Sequence, residues 1–274
     1  MPATLRRRII TSPIARPAVF PTRAMSVLRY DTRLVARSLD WLIRSGETMN
    51  IGYELDPMNR NQLGWFVCQV TGAEIGNVRA WMRELEQDEE LFEAMKHRLA
   101  SNPSRRVCAR RPRWARRFGW YAIVRALQPE LVVEAGTYLG LGSCVIAAAL
   151  LRNGHGRLTT IDIDPDAGHL ITQPWASVID RRIGDSVELL NGTHDVGMFL
   201  HDSFYSYDYE SAEFAALESK LLPDAVVLSD NARSSGSSAL SDWAEWSGRH
   251  YLYFREQPRD HWWPGDGIGA AWAK

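Results

Sequence analysis

From residue 131 onward, short apolar segments alternate with segments of helical periodicity, and this alternation constrains the fold more than any other feature. Alternation of this kind indicates a mainly parallel sheet that is covered by helices on both faces. We therefore predict an α/β fold whose seven-stranded sheet is mostly parallel and whose last strand runs antiparallel. The predicted strands are 131–134, 157–162, 179–184, 196–200, 225–229, 251–255 and 268–272.

The sequence before this region divides into segments of different charge and periodicity. Residues 1–29 carry six arginines, four prolines and no acid, which predicts a basic tail that cannot bury a core. Helical spacing over 30–104 predicts a small α-helical accessory domain, with a solvated acidic face over 84–93. Seven arginines in 105–117 are interpreted as a basic linker that pairs with those acids, and 118–274 as the main domain.

Composition sets limits on the class of protein. A 45% hydrophobic content excludes global disorder, and a formal net charge of -1 makes nucleic acid an unlikely partner. No apolar run approaches the roughly 20 residues that a transmembrane helix needs. Cys68, Cys108 and Cys144 are too few and too widely spaced for a disulfide framework, which predicts a cytoplasmic location. A homodimer is possible.

The first predicted strand ends in an acid that is followed by a glycine-rich turn. Glu134 precedes Gly136, Gly140 and Gly142, and an alanine-rich helix follows. Glycines allow a ligand to approach the backbone, and the helix N-terminus offers unpaired N–H groups. The spacing differs from the G-x-G-x-x-G pattern of dinucleotide enzymes. An acid at this turn suits a ligand that carries an amine and a sulfonium cation.

Acids also follow the next two predicted strands. Asp162 is placed to accept hydrogen bonds from both hydroxyls of a ribose. Asp185 is placed either to accept a hydrogen bond from an adenine amine or to cap the helix that follows. Ligands of such sheets bind at the carboxyl ends of the strands, near the point where the strand order reverses.

This ordered set resembles the class I S-adenosylmethionine (SAM)-dependent methyltransferases over residues 114–274. The resemblance implies a Rossmann-like fold and SAM as cofactor. It also implies that Gly136 and Gly140 lie against the methionine part of SAM and that Asp162 holds the ribose. The cofactor-binding residues implied are Glu134, Gly136, Thr137, Tyr138, Gly140, Asp162, Asp185 and Ser186.

Polar side chains at the ends of the fourth and fifth predicted strands suggest a metal site. Asp202, Asp230 and Asn231 would meet at one edge of the sheet and offer the oxygen ligands that Mg²⁺ prefers. This arrangement resembles the site of the catechol-type, metal-dependent O-methyltransferases. The metal would polarise a substrate hydroxyl beside the transferable methyl group.

The proton acceptor differs from that of this family, because the lysine that the family places shortly after its first aspartate is absent. The sequence around His201 looks more like a bacterial branch that acts on sugars or other natural products. His201 and His261 are the candidate bases, with Asp202 as a further catalytic residue; a structural role for His201 is equally open. Trp262 and Trp263 would either stack on a substrate ring or pack onto the sheet.

We therefore expect an enzyme that transfers a methyl group from SAM to a hydroxyl of a small molecule with the help of Mg²⁺. A non-catalytic cofactor-binding or regulatory module is one alternative. A nucleic-acid-binding protein that uses the arginines of 105–117 is another.

Overall fold

The computed structural model describes residues 16–48, 52–230 and 239–273. The chain divides into two compact units, of which one contains residues 1–46 with 260–263 and the other contains 47–259 with 264–274. The boundaries predicted after residues 104 and 117 therefore both fall inside the larger unit. None of the described helices is long and apolar enough to cross a lipid bilayer.

The smaller unit is built on one long helix, α1 (Arg16–Arg44). This helix includes part of the segment for which the sequence predicts a basic tail. Pro17 lies in the first helical turn, where its missing N–H would have had no partner in any case. Near the other end, the Trp41 ring packs 5.0 Å from the Trp262 ring and 6.2 Å from the His261 ring, measured between centroids.

The larger unit begins with helices that belong to the same packed body as the sheet. Buried side chains such as Leu63, Leu85 and Leu99 come from these helices. The side chain of Asp56 caps the first of them by accepting a hydrogen bond from a backbone N–H two residues on. The helices are α2 (Pro57–Thr71), α3 (Ile75–Glu86), α4 (Glu89–Ser101) and α5 (Arg117–Leu127).

The sheet has seven strands in the order β3-β2-β1-β4-β5-β7-β6, and β7 runs antiparallel to both of its neighbours. The predicted seven-stranded α/β fold is confirmed. Its strands are β1 (Leu131–Ala135), β2 (Arg157–Asp162), β3 (Ile179–Ile183), β4 (Val196–His201), β5 (Leu221–Asp230), β6 (His250–Arg255) and β7 (Gly267–Trp272). The helices among them are α6 (Leu141–Asn153), α7 (Ser186–Leu190), α8 (Tyr207–Leu217) and α9 (Ala239–Trp246).

The two faces of the sheet are covered by different helices, which explains why its central strands β1 and β4 are buried along almost their whole length. On one face, Phe199 of β4 packs edge-on against Phe214 of α8. α6 is buried from Leu141 to Leu150, as expected for a helix enclosed between the sheet and α5. Strand order reverses between β1 and β4, so the carboxyl ends of β1 to β5 meet at the edge where such sheets bind ligands.

Candidate active site

The turn after β1 is fixed by its contacts with the neighbouring strands. The N–H of Gly136 donates to the carbonyl of Ile161 (2.8 Å), and the N–H of Asp202 donates to the carbonyl of Ala135 (2.7 Å). Gly136 has φ +97°, and a Cβ added there would lie 2.5 Å from the carbonyl carbon of Asp202. The backbone at the end of β4, rather than a ligand, is therefore what excludes a side chain at this position.

Glu134 is buried below this turn and is held by hydroxyl groups. Its Oε2 accepts hydrogen bonds from Ser143 Oγ and from Thr160 Oγ1 (2.7 Å). Thr160 Oγ1 in turn lies 2.6 Å from Thr137 Oγ1. Burial raises the pKa of Glu134 to about 7, although the two hydroxyl groups that donate to it oppose the shift. A cation bound nearby would favour the ionised form of this carboxyl group.

Asp162 binds the backbone of the same turn. Its Oδ2 accepts hydrogen bonds from the N–H groups of Thr137 (2.9 Å) and Tyr138 (2.8 Å), and its Oδ1 accepts one from Asp164 (2.9 Å). Since a carboxylate has about four acceptor positions, these bonds leave about one for a ligand. Tyr138 has the left-handed φ of +46° and is 44% exposed, as a wall of a cofactor pocket would be. The neighbouring Ile163 is 77% exposed, and the sequence signal for it is an apolar residue between two aspartates.

Asp185 acts as a helix cap, which is one of the two roles predicted for it. Its Oδ1 accepts from the N–H of Glu188 (3.1 Å) at the start of α7, and its Oδ2 accepts from the Tyr209 hydroxyl (3.1 Å). The adjacent Ser186 contacts the same hydroxyl (2.8 Å) and donates to Glu213. Tyr209 and Glu213 were not predicted. The available signal for Glu213 is an acid within the apolar Ala-Glu-Phe-Ala-Ala stretch of α8.

His201 lies inside the protein at the end of β4. Its side chain is fully buried, and its Nδ1 lies 2.5 Å from Oε2 of Glu213. Burial lowers the pKa of His201, but the hydrogen bond and charge of Glu213 outweigh burial, and the pKa is raised overall. Its Nε2 is buried and has no hydrogen-bond partner among the described residues. This position favours a structural role over proton abstraction from a substrate. His261, in the other unit, stays a prediction.

Acidic side chains at the ends of β5 and β6 bind a buried arginine. Arg116 donates from Nε and Nη2 to the two carboxylate oxygens of Asp230. Its Nη1 donates to Glu256 Oε2 (3.2 Å) and to the Tyr53 hydroxyl (3.1 Å). We call these four side chains the Arg116 cluster. Asp230 and Glu256 are fully buried, so the guanidinium neutralises charge that water cannot reach.

Asp202 lies beside this cluster and is only half-buried. Its Oδ1 accepts a hydrogen bond from the Tyr205 hydroxyl (2.7 Å). Desolvation and the nearby charge of Asp230 raise the pKa of Asp202 well above its usual range, with Arg116 acting in the opposite direction. Among the residues predicted for catalysis in the larger unit, Asp202 is therefore the one that combines a position at the sheet edge with partial exposure.

The described residues do not fit the predicted Mg²⁺ site. Both carboxylate oxygens of Asp230 already bind a guanidinium, and a divalent cation there would be repelled by Arg116. No cluster of three or more His, Cys, Asp or Glu side chains in the described ranges is arranged to hold a metal. Asn231, the third predicted ligand, lies outside those ranges. The sequence pattern did not reveal Arg116 because the partners are 114 residues apart.

The interpretation of 105–117 as a linker paired with the acidic segment is not what the ion pairs show. Arg113 pairs with Glu54 (3.1 Å), and Arg116 pairs with acids at the strand ends. Acids of the upstream segment bind other bases: Glu86 pairs with Arg60 (2.5 Å), and acids at positions 84 and 88 pair with arginines of α5 and α6.

Comparison with known proteins agrees with this geometry. Residues 133–232 match a family model described as a methyltransferase domain. The O-methyltransferase from Bacillus cereus, solved in complex with S-adenosylhomocysteine (SAH), is 13% identical to this chain and has a TM-score of 0.51. The match covers 72% of this chain and 100% of that chain. The SAH-bound methyltransferase from Podospora anserina has 14% identity and a TM-score of 0.50, with 68% and 88% covered. Among curated proteins, no sequence matches.

The chain thus shares the fold of these two structures, and residues 133–232 match a methyltransferase domain.

Proposed function

We propose that this methyltransferase moves the methyl group of SAM to a hydroxyl group of a small molecule. The observation that carries the proposal is the placement of Glu134, Asp162 and Asp185 at the carboxyl ends of three adjacent parallel strands. Ligands of open α/β sheets bind at this edge. A nucleoside that carries a sulfonium and an amine matches an edge lined by acids.

Each of these acids has a separate part in the proposed binding of SAM. Asp162 uses its remaining acceptor position for a ribose hydroxyl, while its other bonds hold the turn in place. The exposed Ile163 offers an apolar surface on which a purine can pack. Glu134 provides negative charge below the turn, and Asp185 and Ser186 form the far side of the site with Tyr209. Gly136, Thr137, Tyr138 and Gly140 supply the turn itself.

We assign the proton transfer to Asp202. When bound, SAM would supply an electrophilic methyl group, and its transfer to the substrate oxygen would leave the electron pair of the broken bond on sulfur. Asp202 accepts the proton of the hydroxyl, and the Tyr205 hydroxyl keeps the carboxylate oriented. The products are SAH and a methyl ether. The chain contributes mainly by holding the reacting groups in line.

Substitution of Asp162 tests this proposal. We expect Asp162→Ala to weaken SAH binding about tenfold or more, because a hydrogen bond to a charged group contributes about 1.5–3 kcal/mol. Asp180→Ala is the control, since Asp180 lies on β3 but is exposed and pairs with Arg182. Calorimetric titration with SAH measures both. Equal affinity in the two variants, or no SAH binding by the unaltered chain, would contradict the proposal.

We also propose a cytoplasmic enzyme, because its three cysteines are free thiols, as a reducing compartment keeps them. The homodimer stays a prediction.

A further inference from the structure

Arg116 binds Asp230, one of the three residues that the sequence predicts to hold a divalent metal ion. It reaches the carboxyl ends of the strands from the residue before α5, and its side chain is only 11% exposed. The contacts are bidentate to Asp230, with further bonds to Glu256 and Tyr53. A planar guanidinium with this geometry binds a carboxylate more specifically than a lysine would.

The contacts use most of the oxygen atoms that a metal ion would need. Both carboxylate oxygens of Asp230 bind Arg116, so neither is left for a metal ion. Glu256 Oε2 accepts hydrogen bonds from Arg116 and from the Tyr53 hydroxyl (2.8 Å). Glu256 Oε1 is buried with no hydrogen-bond partner among the described residues. Removal of the guanidinium would therefore leave two buried carboxylates with no counter-charge from this side chain, close to the carboxylate of Asp202.

We propose that the Arg116 guanidinium takes the place of a divalent metal ion at the carboxyl ends of β4 and β5. The inference rests on the proposed function and extends it. Arg116 is a positioning residue that acts through Asp230, and methyl transfer then needs no metal. A substrate of this site does not have to chelate a metal with two neighbouring oxygens, so a molecule with a single hydroxyl group is sufficient.

The test is whether the site binds a divalent cation once the guanidinium is removed. Mn²⁺ is titrated into SAH-saturated protein and followed by electron paramagnetic resonance. We expect no stoichiometric binding by the unaltered chain. We expect Arg116→Met to bind Mn²⁺ at least about tenfold more tightly, because carboxylate oxygens freed from a cation are good ligands for a hard metal ion. Arg113→Met is the control, since Arg113 is exposed and pairs with Glu54 outside the cluster.

Two results would overturn the inference. One is stoichiometric Mn²⁺ binding by the unaltered chain, and the other is a folded Arg116→Met variant that binds Mn²⁺ no better than Arg113→Met. Circular dichroism first establishes that Arg116→Met is folded, because loss of one partner of a buried ion pair is costly. If it is unfolded, Arg116→Lys is titrated instead. That variant keeps the charge and is expected to exclude Mn²⁺, so stoichiometric binding by it would also overturn the inference.

The SAH affinity recorded in the same samples separates this inference from the proposed function. An unaltered chain that binds both SAH and Mn²⁺ overturns the role of Arg116 and leaves the methyltransferase proposal standing. An unaltered chain that binds neither contradicts the proposed function.

Discussion

Replacement of Gly136 by alanine tests whether the turn after β1 is held by the end of β4. The added Cβ would lie 2.5 Å from the carbonyl carbon of Asp202 and 2.9 Å from the N of Ser203, and both are backbone atoms that cannot rotate away. The φ of +97° adds a conformational cost of about 1–2 kcal/mol for a residue with a side chain. Forced displacement of a packed segment costs about 1–3 kcal/mol more.

Gly154→Ala separates these two contributions. Gly154 ends α6 with φ +79°, and a Cβ added there would meet nothing within 4 Å. It therefore carries only the conformational cost, about 1–2 kcal/mol. We expect Gly136→Ala to lower the free energy of unfolding by about 2–5 kcal/mol in total, as measured by urea denaturation.

Gly136→Ala is also expected to weaken SAH binding, because the turn after β1 carries the N–H groups that orient Asp162. Gly154→Ala is expected to leave SAH affinity unchanged. Equal losses of stability in the two variants, or a Gly136→Ala protein with full SAH affinity, would refute the argument that contact with the end of β4 fixes the turn.

Three further substitutions test individual contacts. Burial raises the pKa of Glu134 from 4.5 to about 7. The free energy of unfolding therefore falls by about 3 kcal/mol as the pH rises from 4.5 to about 7, because the buried carboxyl group must then ionise. Glu134→Gln should remove this dependence in urea denaturation between about pH 4 and pH 8. Glu213→Gln should lower the free energy of unfolding by about 3 kcal/mol or more in acid, where His201 is charged. The loss should become smaller as pH rises through the raised pKa of His201, because the imidazolium is then lost. Thermal denaturation measured against pH would show a constant loss if Glu213 and His201 were not paired. Tyr209→Phe should weaken SAH binding roughly threefold to tenfold without unfolding the protein. Tyr207→Phe, which loses an exposed contact with α9, should leave SAH binding unchanged. Calorimetry that finds the same SAH affinity in the two variants would contradict this prediction.

The strands of the sheet were predictable because a buried parallel strand is a short apolar run bounded by turn residues. β2 was predicted at its observed bounds, and five of the other strands differ by one residue at an end. β5 begins four residues earlier than predicted, at Leu221. Pro223 and Asp224 are rare in strands, and both are exposed, so they separate Leu221 and Leu222 from the apolar run that marks the rest of β5.

Side-chain partners were harder to predict than strands, because they depend on distances that only the tertiary structure sets. Seven arginines in 105–117 have the same local appearance, and one of them enters the sheet edge. The extent of α1 was missed for a different reason. Prolines were interpreted as breaks, but Pro17 lies in a first turn that tolerates it, and the helix also continues through Pro21.

Acids at the ends of parallel strands therefore identify the edge of the sheet without identifying what each acid binds. Asp185 caps a helix, and Asp230 binds Arg116. Asp162 uses most of its acceptor positions for hydrogen bonds to the backbone of the turn after β1. A carboxylate with every oxygen already bonded is available to a ligand only if the ligand displaces a partner, which costs free energy. The oxygen atoms with remaining capacity, on Asp162 Oδ1 and on the half-buried Asp202, lie at the ends of β2 and β4. These two strands flank β1 on either side, so the cofactor and the reacting hydroxyl are expected on opposite sides of the glycine turn.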